Sequence, residues 1–400
     1  MNTTPSIGGE RLSRRGVITA ALAAGLTVPL GLSGRASAAA VAAGPRRFVL
    51  PAPTGPFPIG TVPLHLVDRS RPDPVAGPGH HRELMVSVWY PARDVARYPR
   101  AHWLSDALMR ELLTYHGFPA DALLPALTAG HVGAPVRRAG GRMPVVVFSH
   151  GAHDHRGHNT IVVQELVSHG YVVVTVDHTH DAFSEFPDGR LTVPIIGGEH
   201  SLGAADFAAD IPFVLDRIAA LAAGRNPDAD GRPLPAGLPG LLDPGRVGMF
   251  GFSKGGTATA LAMGLDQRIR AGLSLDAQME PLIETDLARP FMMMSADYTR
   301  AEPSVAQFWS HLTGWRLNVR AADGRHLAYT DYQIMLPHLA VAVGMTEEDL
   351  EGWAGTLDAT RAARIQQAYP LAFFDLHLRH RRQRLLEGPS PAFPGVCYIP

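Results

Sequence analysis

The chain has 400 residues, 46% hydrophobic and 18% charged, enough apolar content to bury a large core and too little bias for a disordered or fibrous protein. Lys+Arg at 36 against Asp+Glu at 37 leaves a formal net charge of -1 with no long basic run, which argues against a nucleic-acid partner. The single cysteine, Cys397, rules out an intramolecular disulfide and a thiolate metal site.

Residues 1–38 read as an address. Ser13-Arg14-Arg15-Gly16 precedes the apolar run Thr19 to Leu32, which is too short to span a bilayer comfortably, and Ala36-Ser37-Ala38 offers the small residues a signal peptidase needs. The paired arginines resemble the twin-arginine signal that exports proteins already folded, so cleavage after Ala38 and a secreted product are expected. Residues 39–82, rich in Pro and Gly, read as an extended N-terminal segment, with regular order beginning near Glu83.

From there the pattern is strand, helix, strand. Leu84 to Tyr90 is a β-rich run stopped by Pro91. His102 to Leu127 is helical in pieces, with Trp103, Leu108, Leu112 and Leu113 on one face before Gly117 and Pro119 break it, and it suits a small cap bordering a pocket. Val145 to Phe148 and Tyr171 to Val176 are short buried strands around a helix at Ile161 to His169. In the next helix, Phe207 to Ala223, the apolar residues recur at helical spacing and leave Asp210, Asp216 and Arg217 to face water. Asn226 to Asp243 is a Pro/Gly-rich excursion. Strands at Arg246 to Phe250, Ile269 to Leu275, Pro290 to Ser295 and Trp315 to Val319 follow, with helices at Thr257 to Gly264 and Thr356 to Leu386. The economical architecture is one α/β domain over residues 83–400, a doubly wound, mostly parallel sheet with a small helical cap insertion.

Gly251-Phe252-Ser253-Lys254-Gly255-Gly256 sits between a strand and a small-residue helix. That context makes the serine the candidate nucleophile on a strained turn, with glycines where a Cβ would strike its neighbours. The amide of Lys254, at the positive end of the following helix, is placed to stabilise an oxyanion. A serine needs a base, and the base an orienting acid, at the ends of later strands. Asp276 ends the strand Ala271 to Leu275, and His326 sits in the turn Asp323-Gly324-Arg325-His326 after the next-but-one strand, so these two complete the candidate triad. His311 and His338 are the reserve bases.

Several segments resemble the plasma-type platelet-activating-factor acetylhydrolases and their secreted bacterial lipase and esterase relatives. They are Val88-Trp89-Tyr90-Pro91, Val145 to Gly151 ending in Ser149-His150-Gly151, Ser168-His169-Gly170-Tyr171, Asp210 to Asp216, and the serine, aspartate and histidine segments, in that order over residues 84–396. The resemblance implies an α/β-hydrolase fold and a second oxyanion amide from Ala152, after His150-Gly151. It also implies hydrolysis of esters, from short or oxidised acyl groups on phospholipids to soluble esters, without cofactor or metal. The implied partner is a small ester or lipid substrate with at most transient contact to a lipid surface, and no obligate protein partner is evident. Phe252 and Lys254 depart from the pattern, which has His or Trp before the serine and an apolar residue after it.

Two rival readings use other features. His150, His153, Asp154, His155 and His158, with His178, His180 and Asp181, could form a metal-hydrolase cluster, although strand-end loops beside a pocket are often this polar. A non-catalytic binding protein on the same scaffold would have to keep all three triad residue types for no purpose. Lys254 is the only lysine in the chain, and its side chain starts beside the nucleophile, where it could reach an anionic part of a substrate.

Overall fold

The computed structural model describes residues 46–137 and 140–400, so the signal-like segment 1–38 lies outside the described residues. Its centre is an 11-stranded sheet. The chain enters it through the hairpin β1 (Ile59–Asp73) and β2 (Gly77–Pro91), continues through the short β3 (Arg100–His102), helix α1 (Asp106–Tyr115) and β4 (Leu127–Val132), and then reaches β5 (Met143–Ser149). Next come α2 (Thr160–Ser168), β6 (Val172–Asp177), α3 (Ala204–Ala222), β7 (Leu242–Phe252), α4 (Lys254–Leu265), β8 (Ile269–Leu275), β9 (Phe291–Ser295) and α5 (Pro303–His311). The last elements are β10 (Arg316–Ala321), α6 (Tyr332–Val343), α7 (Glu347–Ala354), α8 (Ala359–Arg379) and β11 (Val396–Ile399). Across the sheet the order is β11-β10-β9-β8-β7-β5-β6-β2-β1-β4-β3.

The run from β10 to β6 is parallel throughout, and both of its faces are covered. Val146 and Phe148 of β5 pack in one apolar cluster with α1, α2, α6 and α8, while their neighbours Val145 and Val147 pack in a second with α3 and α4. That alternation is the two-residue period of a strand, and because both sets are apolar the strand reads as an unbroken hydrophobic run. The chain leaves β5 toward β6 on one side and returns to β7 on the other. The carboxyl ends of β5 and β7 therefore flank the crevice where the winding reverses, the place where ligands bind in open α/β sheets.

Three expectations need correction. Pairing within the main sheet begins at Ile59 rather than near Glu83, because β1 pairs with β2 from Ile59 opposite Pro91 to Asp73 opposite Gly77, so the boundary at 82/83 falls inside a hairpin. Pro63 and the polar residues disguise this strand. Leu64 and Leu66 are buried, yet β1 pairs with β4 only from Ile59 to Thr61, so Pro63 lies where the sheet continues on one side and a missing N–H is tolerated. Asp210 does not face water. Its carboxylate is 1% exposed and binds Arg82 at 2.7 Å and Arg71 at 2.7 Å. Lastly, α5, α6, α7 and the edge strand β11, which carries the exposed Cys397, occupy stretches to which the sequence pattern assigned no element.

Where the cap was expected, α1 is a single amphipathic helix, opened by the Ser105 side chain accepting from the Leu108 amide at 3.2 Å. Its Leu108, Met109, Leu112 and Leu113 are buried toward the main core.

Candidate active site

Ser253 sits between β7 and α4 at φ 51 and ψ -119, a left-handed conformation that costs a residue with a Cβ on the order of 1–3 kcal/mol. The surroundings enforce it. A Cβ on Gly251 would lie 2.0 Å from the Gly255 carbonyl oxygen, and one on Gly255 would lie 2.1 Å from that of Ser149. Only glycine lets strand, helix and the end of β5 come this close. The Ser253 amide donates to Leu275 O at 2.9 Å, and its carbonyl accepts from Gly256 N at 2.9 Å, pinning the turn to β8 and to the first turn of α4.

Asp276 follows β8 with φ 44 and is 1% exposed. Its Oδ1 accepts backbone N–H groups from Ala296 at 2.6 Å and Tyr298 at 2.9 Å, and its Oδ2 accepts from Asp297 N at 3.2 Å. The same Oδ2 lies 2.6 Å from His326 Nδ1. His326 opens the turn after β10, with its own amide donating to Asp297 Oδ2 at 3.1 Å. The ring stands 4.6 Å from the ring of Phe252, beside the serine, and 5.2 Å edge-on from Tyr298. With Nδ1 committed to Asp276, Nε2 is the nitrogen left for proton transfer next to the elbow. The reserve histidines are elsewhere: His311 ends α5 paired with Asp286 at 2.8 Å, and His338 lies within α6.

The end of β5 supplies the opposite wall. A Cβ on Gly151 would lie 2.7 Å from Phe252 and 3.5 Å from the Cβ of Ser253, so Ala152 follows a residue that already touches the elbow. Lys254 is the first residue of α4, where helix geometry leaves the amide without an intrahelical acceptor. Beneath this wall runs a buried chain: Ser149 Oγ is 2.9 Å from His178 Nε2, and His178 Nδ1 is 2.9 Å from Asp210 Oδ2. It repeats the residue types of a catalytic triad, but Ser149 and His178 are 0% exposed and Asp210 is 1% exposed, so no substrate reaches it. Burial alone would raise the Asp210 carboxyl, and the Arg82 guanidinium and the His178 hydrogen bond outweigh it and hold Asp210 well below the ordinary range. His150 accepts the His178 amide at Nε2, 3.1 Å, and faces Gly151 O through Nδ1 at 2.6 Å. That is the neutral tautomer, in keeping with burial pushing its pKa down.

Residues 43–185 match the family described as platelet-activating factor acetylhydrolase, isoform II. A probable 1-alkyl-2-acetylglycerophosphocholine esterase from Arthroderma benhamiae is 27% identical over 89% of this chain and 95% of its own. A platelet-activating factor acetylhydrolase from Cavia porcellus is 24% identical over 53% of this chain and 55% of its own. Among solved structures, a ferulic acid esterase from Streptomyces cinnamoneus superimposes with a TM-score of 0.75 at 32% identity, over 90% of this chain and 100% of that one. The chain belongs to the α/β-hydrolase esterases of platelet-activating-factor-acetylhydrolase type. It is a serine carboxylic-ester hydrolase.

In this esterase the Lys254 side chain is not available to a substrate anion, contrary to expectation. Its Nζ is 2.6 Å from Asp181 Oδ2 and 2.7 Å from Leu202 O, with the Phe207 ring 5.2 Å away. Asp181 is fully buried; burial raises its pKa and the Lys254 charge works against that shift. Sequence inspection grouped Asp181 with the histidine cluster, so the residue was visible and its partner was not. The other members of that cluster are likewise divided among separate contacts, such as His180 with Asp73 at 2.9 Å and His158 with Asp154 at 2.8 Å. Among the described residues no three His, Cys, Asp or Glu side chains are arranged to hold a metal ion.

An apolar cavity lies between α1 and α6, lined by Leu112, Leu113, Met335, Leu336 and Trp353 and reaching Leu327, the residue after His326. His116 lines it too, and burial followed by the nearby His153 and His158 pushes its pKa down to about 4, so at neutral pH this wall is uncharged. Sequence reasoning missed Asp331, the buried residue just before α6. Its carboxylate accepts from Trp103 Nε1 at 2.8 Å and from the amides of Thr160 at 2.7 Å and Ile161 at 3.1 Å, tying the α1 region to the start of α2. No periodicity signals such a residue; it is recognised only by the helix end it caps.

Proposed function

We propose that this esterase hydrolyses esters of short apolar or aromatic acids, with Ser253 as nucleophile, His326 as general base and Asp276 as its orienting acid. Ser253 Oγ attacks the ester carbonyl as His326 Nε2 takes its proton. The amides of Ala152 and Lys254 hold the tetrahedral oxyanion, and the alcohol leaves with the proton returned by His326. Water, activated by the same histidine, then releases the acid and restores Ser253. The reading is carried by one observation: the Asp276–His326 pair, at 2.6 Å, is fixed by three backbone amides beside the strained serine turn.

Support for the acyl class comes from the uncharged cavity between α1 and α6, which suits a small apolar group and has no cation for a phosphate or carboxylate. The Streptomyces cinnamoneus enzyme's name points to ferulic acid esters. The Arthroderma benhamiae protein's name points instead to 1-alkyl-2-acetylglycerophosphocholine, whose acetyl group is the smallest acyl the cavity would take. A panel of p-nitrophenyl esters from acetate to octanoate, with methyl ferulate and a 2-acetyl phosphocholine lipid, tests the proposal. Preference for acetate, butyrate or ferulate supports it, and octanoate turned over fastest refutes it.

We propose also that the enzyme is exported by the twin-arginine route with cleavage after Ala38, supported by Arg14-Arg15, the apolar run and Ala36-Ser37-Ala38. Among the described residues no helix is long and apolar enough to cross a membrane. N-terminal sequencing of enzyme collected from the medium, beside an Arg14→Lys/Arg15→Lys variant, tests this; a variant exported as well as the parent refutes it.

A further inference from the structure

Asp181 joins the two walls of the oxyanion site. Its Oδ2 accepts from Lys254 Nζ at 2.6 Å, and its Oδ1 accepts from the backbone N–H of His153 at 2.7 Å. Lys254 carries one candidate oxyanion amide, and His153 is the residue directly after Ala152, which carries the other. The carboxylate is 0% exposed and the lysine 17%, so the pair is largely shielded from competing water and salt. Two residues at this junction hold left-handed backbone, His153 at φ 57 and His180 at φ 78, next to the equally strained Ser253 at φ 51. Such conformations persist only where neighbouring contacts over-determine them. Lys254 Nζ adds a bond to Leu202 O at 2.7 Å, tying the approach to α3 into the same junction.

We propose that the Lys254–Asp181 ion pair is a positioning device that fixes the spacing between the amides of Ala152 and Lys254. The inference rests on the oxyanion assignment above and deepens it. An oxyanion hole works because its donors already stand where charge will develop, and an error of about 1 Å in such a site costs on the order of 100-fold in rate. The amides come from different strand ends, β5 and β7, about 100 residues apart in sequence. No backbone hydrogen bond joins Ala152 or His153 to Lys254, whereas the side-chain carboxylate of Asp181 bonds to both segments. The only lysine of the chain is thus used inward, for geometry, rather than outward, for the substrate.

The test measures Lys254→Met, Lys254→Arg, Asp181→Asn and the Asp181→Asn/Lys254→Met pair with p-nitrophenyl acetate, together with the inhibition constant of phenylboronic acid, which forms a tetrahedral adduct on the serine. Expected is a fall in kcat of about 10- to 100-fold for Lys254→Met and for Asp181→Asn with KM within about 3-fold, and no greater loss in the double variant. Phenylboronic acid should weaken by the same factor, and Lys254→Arg should recover most of kcat. Wild-type kcat in Lys254→Met, losses that multiply in the double variant, a loss confined to KM, or unchanged boronate inhibition would overturn the proposal. Should Asp181→Asn fail to fold, Lys254→Gln replaces it: it keeps a donor toward Asp181 without the charge and is expected between Met and wild type, and wild-type kcat in Lys254→Met still refutes the device. Ser253→Ala runs beside them. Persistent turnover in Ser253→Ala sinks the underlying site assignment, whereas a dead Ser253→Ala with an intact Lys254→Met sinks only the positioning device.

Discussion

Asparagine in place of Asp276 isolates what the acid does, because the structure dictates which way the amide must turn. Asp276 Oδ1 accepts two backbone N–H groups, from Ala296 at 2.6 Å and Tyr298 at 2.9 Å, while Oδ2 faces His326 Nδ1 at 2.6 Å. Turning the NH2 toward the Ala296 and Tyr298 amides would oppose donors to donors and lose two buried hydrogen bonds, whereas turning it toward His326 loses only the longer bond from Asp297 N at 3.2 Å, each group left unpaired costing about 1–3 kcal/mol. The oxygen therefore stays with the backbone, and the NH2 points at His326 Nδ1. There it can only donate, so the ring must accept at Nδ1 and carry its proton on Nε2. A base protonated at Nε2 cannot take the proton of Ser253, and loss of the correct tautomer in a serine triad is worth about 10,000-fold in kcat. Asp276→Asn should thus lower kcat for p-nitrophenyl acetate by three to four powers of ten, or about 4–5.5 kcal/mol, with KM changed little. Nitrogen-15 chemical shifts of the His326 ring should show the proton moved from Nδ1 to Nε2. A loss under 10-fold, or an unmoved proton, would refute this assignment of roles.

Other outcomes follow from the same contacts. Arg82→Met removes the main partner of the buried Asp210, and with Arg71 still bound at 2.7 Å the loss should be about 3 kcal/mol, read as a lower urea midpoint. Leu112→Ala, on the cavity wall, should cost about 2 kcal/mol and raise the octanoate-to-acetate turnover ratio several-fold; an unchanged ratio would make α1 scaffolding only. His116 and His153 are held at about 4 by burial first, with nearby His residues and Lys254 respectively adding to it, and His377 by burial and then His380. The unfolded rings take up protons near 6.5 and the folded ones do not, so stability present above about pH 6.5 drains away as pH falls toward 4, by at most about 3 kcal/mol per ring. Melting temperatures across pH 4 to 7 check the sign, and a flat profile would contradict it. Gly255→Ala should abolish soluble, active enzyme, since its Cβ would sit 2.1 Å from Ser149 O; a well-folded active variant would show the turn to be looser than drawn.

Much of this architecture is written locally. The apolar runs of β5, β6 and β8 and the helical spacing of α3 need no distant partner to be read, because the period of the chain matches the period of the element. The serine turn is equally local, since Gly251 and Gly255 serve contacts within one strand-turn-helix unit and the end of the neighbouring strand. Asp276 and His326 could be nominated from chain order and turn context, but their 2.6 Å contact spans 50 residues and exists only once β8 and β10 stand in one sheet. Polar residues were read least well, and for one reason. A lone Asp or Lys declares its charge but not its partner, so Asp210 read as a solvated helix position until folding set Arg82 against it, 128 residues away. Lys254 read as a substrate contact until folding turned it onto Asp181, 73 residues away. The β1 strand is the backbone counterpart: its Pro63 and polar positions look like a loop, and only the long pairing with β2 makes it part of the sheet. Burying a charge is costly unless it is paired, and pairing across such separations is a property of the assembled layers, not of any window along the chain.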